Sequence, residues 1–154
     1  MSYHKRIEKL TNELNNALST NILNYNQTKS ISVCGLYLIY QNEKVIYVGK
    51  TSRTGKARLT ELSADYRSHT LNRKLLRSLL IHTLKTDFPP LRKESKQDLI
   101  SAGVLTKENF KGLQGKVNMM IREELRFRFY PVEPDNLIPF EHFFIAVLNP
   151  EMND

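Results

Sequence analysis

Gly35-Leu36-Tyr37-Leu38-Ile39-Tyr40 and, after the polar break Gln41-Asn42-Glu43-Lys44, Val45-Ile46-Tyr47-Val48-Gly49 form the stretch on which the fold turns. Both runs are rich in Val, Ile, Leu and Tyr, residues that suit a pleated, half-buried surface. Two such runs across a short polar break read as a β-hairpin, with strands over 31–40 and 45–49. Gly49 ends the second strand, where a residue without a Cβ permits a sharp bend or a close approach of backbone to a ligand.

Outward from the hairpin, helical and strand patterns alternate. Residues 3–18 carry Ile7, Leu10, Leu14 and Leu18 at helical spacing, and residues 19–30 are a polar linker. After Gly49 the pattern predicts a helix over 54–66 with Arg58 near its start. His69 follows in a polar break, and a second helix spans 71–84. On that helix Leu75, Leu76, Leu79 and Leu80 face inward, while Arg73, Lys74 and Arg77 share one arc, either a phosphate grip or a solvated face. Phe88-Pro89-Pro90 stops it. Residues 91–124 offer short helical patterns broken by Gly103, Gly112 and Gly115. Leu125 to Val132 alternates as a third strand, with Arg126 and Arg128 outward. Pro139 opens a last helix, apolar nearly all round and therefore expected to be buried. Its odd residue is Glu141. A carboxylate there either meets solvent at the positive helix end or needs a cation as partner.

The chain is 154 residues long, with 23 Lys/Arg and 16 Asp/Glu for a net charge of +7. Residues 50–96 hold twelve Lys/Arg and four Asp/Glu, a net of +8; the other eleven basic and twelve acidic residues net −1. A polyanionic partner, nucleic acid first, fits that asymmetry, as does a solvated basic face. No apolar run reaches the ~18–20 residues of a membrane span. The charged start is unlike a signal peptide, and the single Cys34, read as a small buried hydrophobe, precludes an internal disulfide. A reducing cytoplasm is the expected compartment.

Gly35-Leu36-Tyr37, then Tyr47-Val48-Gly49-Lys50, Arg58 in the next helix, Glu141 in a late helix and Asn153 after Pro150 resemble the GIY-YIG nuclease superfamily in order and context. The resemblance covers about 33–84 and 125–154. It implies an α+β fold, a small three-stranded antiparallel sheet flanked by helices. Residues 1–30 are then an N-terminal helix and linker, and 31–154 a nuclease domain with an insertion at about 86–124. It also implies a DNA endonuclease using Mg²⁺ (or Mn²⁺). Glu141 would bind the metal and Arg58 would clamp a phosphate, with Arg53 a rival for that role. Tyr37 or Tyr47 would be the general base, aided by the charge of Lys50, and Asn153 would orient a neighbour or fix backbone. His69, Arg73, Lys74 and Arg77 join Arg53 as candidate nucleic-acid contacts. A catalytically weak or inactive nucleic-acid-binding module of the same fold is the alternative, and monomer or homodimer stays open. Read without the family, the tyrosines are cross-strand packing residues.

Nine residues separate Tyr37 from Tyr47, fewer than is usual in that family. Strand side chains alternate faces, so register decides whether the two tyrosines meet. A four-residue loop over 41–44 opposes Leu38 to Tyr47 and sends the tyrosines to opposite faces. A three-residue or five-residue loop, or a bulge, puts both on one face. A shared site requires one of the latter.

Overall fold

Asn42 and Glu43 take positive φ angles of 51° and 66° and close a two-residue turn in the computed structural model, which describes residues 2–154. Positive φ at both central residues is the signature of the tight hairpin turn whose twist matches its strands. The turn joins β1 (Gly35–Gln41) to β2 (Lys44–Thr51). β1 starts and ends later than the residue pattern suggested, and β2 starts one residue earlier and ends two later. The carbonyls of Ile31 and Val33 are instead taken by the amides of Lys56 and Gly55 at 2.9 and 3.0 Å, which begin the next helix.

A two-residue turn continued without interruption would oppose Leu38 to Tyr47. The ladder does not continue so. Gln41 pairs with Lys44 and Tyr40 with Val45, but Ile39 pairs with Tyr47, leaving Ile46 as a one-residue bulge on β2. Beyond the bulge Leu38 opposes Val48 and Tyr37 opposes Gly49. Tyr37, Ile39 and Tyr47 therefore share one face, and the register condition is met by a bulge rather than by an odd-length loop.

β3 (Arg126–Pro131) pairs antiparallel with the other side of β1, giving the order β2-β1-β3. Gly35 is required at that seam, because a Cβ there would lie 2.1 Å from the Tyr130 carbonyl oxygen. The fold is α+β, a three-stranded antiparallel sheet with six α-helices among the described residues. None of those helices is long and apolar enough to cross a membrane.

The chain forms two compact units, one of the chain up to Leu59 with Leu125–Asp154, the other of Thr60–Glu124. In the first, α1 (Tyr3–Leu18) and α6 (Leu137–Leu148) cover one face of the sheet. Leu14 and Ala17 of α1 and Leu137, Phe140 and Phe144 of α6 pack with Leu36, Leu38 and Val48 into one core. The Tyr130 hydroxyl donates to Glu13, tying α1 to β3. Only part of α6 is buried, contrary to its uniformly apolar sequence, since it meets the sheet along one face and leaves Ile138 and Val147 exposed. It begins at Leu137, so Pro139 sits inside the first turn, where its missing N–H has no helical partner to lose. Arg126 is exposed as expected, but Arg128 is half-buried over the Tyr40 ring, its Nε donating to the Tyr40 hydroxyl at 3.0 Å. Cys34 is half-buried just before β1 and donates its thiol hydrogen to the Val132 carbonyl at 3.2 Å.

In the second unit α3 (Thr70–Leu84), α4 (Ser95–Ser101) and α5 (Lys107–Glu123) follow one another. The unit starts well before residue 86, because α3 packs against α5 and so belongs with the segment read as an insertion. Buried leucines of α3 (Leu71, Leu75, Leu76, Leu80) and the stripe Phe110, Leu113, Val117, Ile121 of α5 form its apolar interior. Its polar interior is satisfied: the Asn72 amide donates to the Leu62 carbonyl at 2.8 Å and to Asn118, and Gln114 donates to Asn72 at 2.9 Å.

Candidate active site

Tyr37 is 1% exposed, with its ring laid over the backbone of its cross-strand partner Gly49. A Cβ at Gly49 would fall 2.3 Å from Tyr37 Cζ, so the glycine is what lets the ring lie there. The Tyr47 ring, half-buried, stacks beside it with centroids 6.3 Å apart. The guanidinium of Arg58 donates to the Tyr37 hydroxyl. Arg58 is placed by α2 (Gly55–Leu62), whose start is fixed twice over. Thr54 caps it, its Oγ1 accepting from the Ala57 amide at 3.1 Å, and the Gly55 and Lys56 amides bond to 33 and 31 as described.

Burial pushes the Tyr37 hydroxyl well above the ordinary phenol range. The neighbouring Tyr47 and Glu141 push the same way, and Arg58 opposes them without prevailing. Tyr37 is therefore a neutral phenol that holds its proton, rather than a phenolate favoured by nearby cations.

Glu141 is 9% exposed, and its partner is a cation, not solvent: Lys50 Nζ lies 3.0 Å from Oε1. Lys50 also lines an open cleft of about 410 Å³ with Arg53 and Arg58, and Pro134, Leu137 and Ile138 form its apolar side. Three cations and no carboxylate line that cleft. Among the described residues no group of three His, Cys, Asp or Glu could hold a metal ion. One nearly buried carboxylate still fits a hard, mostly hydrated cation such as Mg²⁺ or Mn²⁺, which commonly takes one or two carboxylates and completes its shell with water and phosphate.

Asn153 lies at the edge of β2. Its side-chain oxygen accepts from the Val48 amide at 2.8 Å and its nitrogen donates to the Val48 carbonyl at 2.9 Å. The Met152 amide donates to the carbonyl of the bulge residue Ile46 at 2.9 Å. This short tail thus covers the open edge of β2 and holds Val48, the residue between Tyr47 and Gly49.

The structure brings Tyr37, Tyr47, Lys50, Arg53, Arg58 and Glu141 to one part of the first unit, with Asn153 at the edge of the strand that carries two of them, Tyr47 and Lys50. The second unit treats its candidates differently. His69 is 1% exposed, and its Nδ1 accepts from the Leu71 amide at 3.0 Å as the cap of α3; a ring so placed serves the helix and has no surface for nucleic acid. Arg73 donates to the Tyr66 carbonyl at 3.2 Å and Arg77 to that of Phe88 at 2.7 Å, so both arginines on the predicted arc also bind backbone. Lys74 is half-buried beside them in sequence. Thr54 and the apolar cleft wall carry site geometry that the residue pattern did not single out. A threonine three residues before Ala57 was a legible cap; the wall was not legible. Compared with protein-family models, curated proteins and solved structures, the chain matches none.

Proposed function

We propose that the chain is a metal-dependent DNA endonuclease of GIY-YIG type, hydrolysing phosphodiester bonds at the cleft lined by Lys50, Arg53 and Arg58. The observation that carries this reading is the bulge at Ile46, which gathers both tyrosines on one face with Arg58 on the Tyr37 hydroxyl. Arg58, Lys50 and Arg53 supply the positive charge that a bound phosphate and its developing transition-state charge need. The buried, proton-holding Tyr37 orients Arg58. Tyr47, half-buried beside Tyr37, is the group we assign, as its phenolate, to take a proton from the attacking water as the phosphorus–oxygen bond to the 3′ oxygen breaks. Glu141 would hold Mg²⁺ or Mn²⁺, which supplies Lewis-acid help to the leaving oxygen. Asn153 keeps Tyr47 in register through the backbone of Val48.

A second reading, a catalytically weak or inactive DNA-binding module, draws on the raised Tyr37 hydroxyl and on Lys50 occupying the Glu141 carboxylate. Incubation of supercoiled plasmid with Mg²⁺ separates the two. The endonuclease nicks or linearises it, and Glu141→Ala loses at least about a hundredfold of that rate, as loss of a group stabilising transition-state charge does. Salt-dependent DNA binding without Glu141-dependent cleavage selects the binding module. No binding at low salt removes both.

A further inference from the structure

Ile138 is 58% exposed, in the first turn of α6 and three residues before Glu141, so both lie on one side of the helix. A lone exposed isoleucine is ordinary. This one is not isolated: with Pro134 and Leu137 it makes the apolar wall of the cleft whose other wall is Lys50, Arg53 and Arg58. One side suits a phosphate and the other an apolar surface. The cleft volume of about 410 Å³ is of the size that holds one small-molecule-sized group, and a stacked base pair with its neighbours is larger.

Resting on the nucleic-acid reading above, we infer that the cleft takes a single nucleotide unstacked from its neighbours, and that Ile138 is the residue selecting it. The phosphate lies on the cationic wall, and the sugar and base lie against Ile138. Apolar side chains that enter a base step unstack it at a cost of a few kcal/mol, least where the base is already unpaired. The substrate class follows: DNA with an unpaired or distorted nucleotide at the scissile position, in preference to uniform duplex.

The test is binding of the full chain, without divalent metal, to two short duplexes carrying 2-aminopurine at one position, either paired or unpaired. The wild type binds the unpaired duplex about tenfold more tightly, the ratio that burial of one aliphatic side chain supplies, and its 2-aminopurine fluorescence rises on binding. Ile138→Ser reduces that ratio to about one with the salt dependence unchanged, and Ile138→Leu keeps it. Equal binding of both duplexes by the wild type, or an undiminished preference in Ile138→Ser with native thermal melting, overturns the inference while leaving the nuclease reading standing. Failure to bind either duplex overturns both.

Discussion

Replacing Gly49 by alanine tests whether the tyrosine face is built as described. The added Cβ would lie 2.3, 2.4 and 2.5 Å from Tyr37 Cζ, its hydroxyl oxygen and Cε2. Carbon contacts relax near ~3.5–4.0 Å, so the ring must retreat by more than about 1 Å. It has little room to do so. The ring is 1% exposed, stacked on Tyr47 and held at its hydroxyl by Arg58. Overpacking of this kind costs about 1–3 kcal/mol. Alanine returns roughly 0.5–1 kcal/mol by its lower unfolded-state entropy in a strand, leaving a net loss of up to about 2.5 kcal/mol. With Tyr37→Leu the far end of the ring is gone and the same Gly49→Ala change becomes neutral or slightly stabilising. The coupling in this double-mutant cycle is therefore about 1–3 kcal/mol. Urea unfolding followed by circular dichroism measures all four proteins. Equal costs of Gly49→Ala in the two backgrounds would refute the stacking of Tyr37 on Gly49.

Asn153→Ala removes both bonds to Val48 and lowers stability by about 1–3 kcal/mol; Asn153→Asp does no better, since a carboxylate cannot donate to the Val48 carbonyl. Calorimetry and amide exchange at Val48 read this, and unchanged melting with unchanged protection would count against the clamp. Tyr37→Phe flattens alkaline unfolding: the folded protein holds the Tyr37 proton where the unfolded chain loses it near ~10, so that group's contribution is full below that pH and falls by up to about 1.4 kcal/mol per unit above it. Parallel pH–stability curves for the two proteins above that point would contradict the burial of this hydroxyl. Glu43→Gly stabilises the hairpin by about 1 kcal/mol, because Glu43 sits at φ 66° where glycine carries no penalty; a loss of stability by urea titration would argue against that turn.

Element types were legible where periodicity was long. α1 matched its pattern over Tyr3–Leu18, and the three strands fell on the three β-type runs. What was not legible is where two patterns share residues. Ile31 and Val33 look like strand but serve the start of α2 through their carbonyls. Glu43 gives no sign that it will adopt a left-handed conformation, so the turn read longer than it is. Ile46 looks like any strand residue, and no local feature announces a bulge. In the site, Lys50 and Glu141 were each identifiable as charged residues in informative places, but their 3.0 Å pairing joins positions 91 apart in sequence. His69 shows why a polar residue before a helix is ambiguous: it suits both capping and ligand contact, and its role as the buried cap of α3 appears only in the fold.

The bulge also has an arithmetic consequence. Partner numbers along the hairpin add to 85 at the turn and to 86 beyond Ile46, so parity changes once between the turn and the tyrosines. Deleting Ile46 alone would close the ladder with Ile39 still opposite Tyr47 and Leu38 still opposite Val48, whereas drawing Ile46 into the ladder would oppose it to Ile39 and Tyr47 to Leu38, turning Tyr47 to the other face. At the nine-residue spacing between Tyr37 and Tyr47, a two-tyrosine wall needs loop length and bulges together to be odd, so a two-residue turn with one bulge is equivalent to a three-residue turn with none.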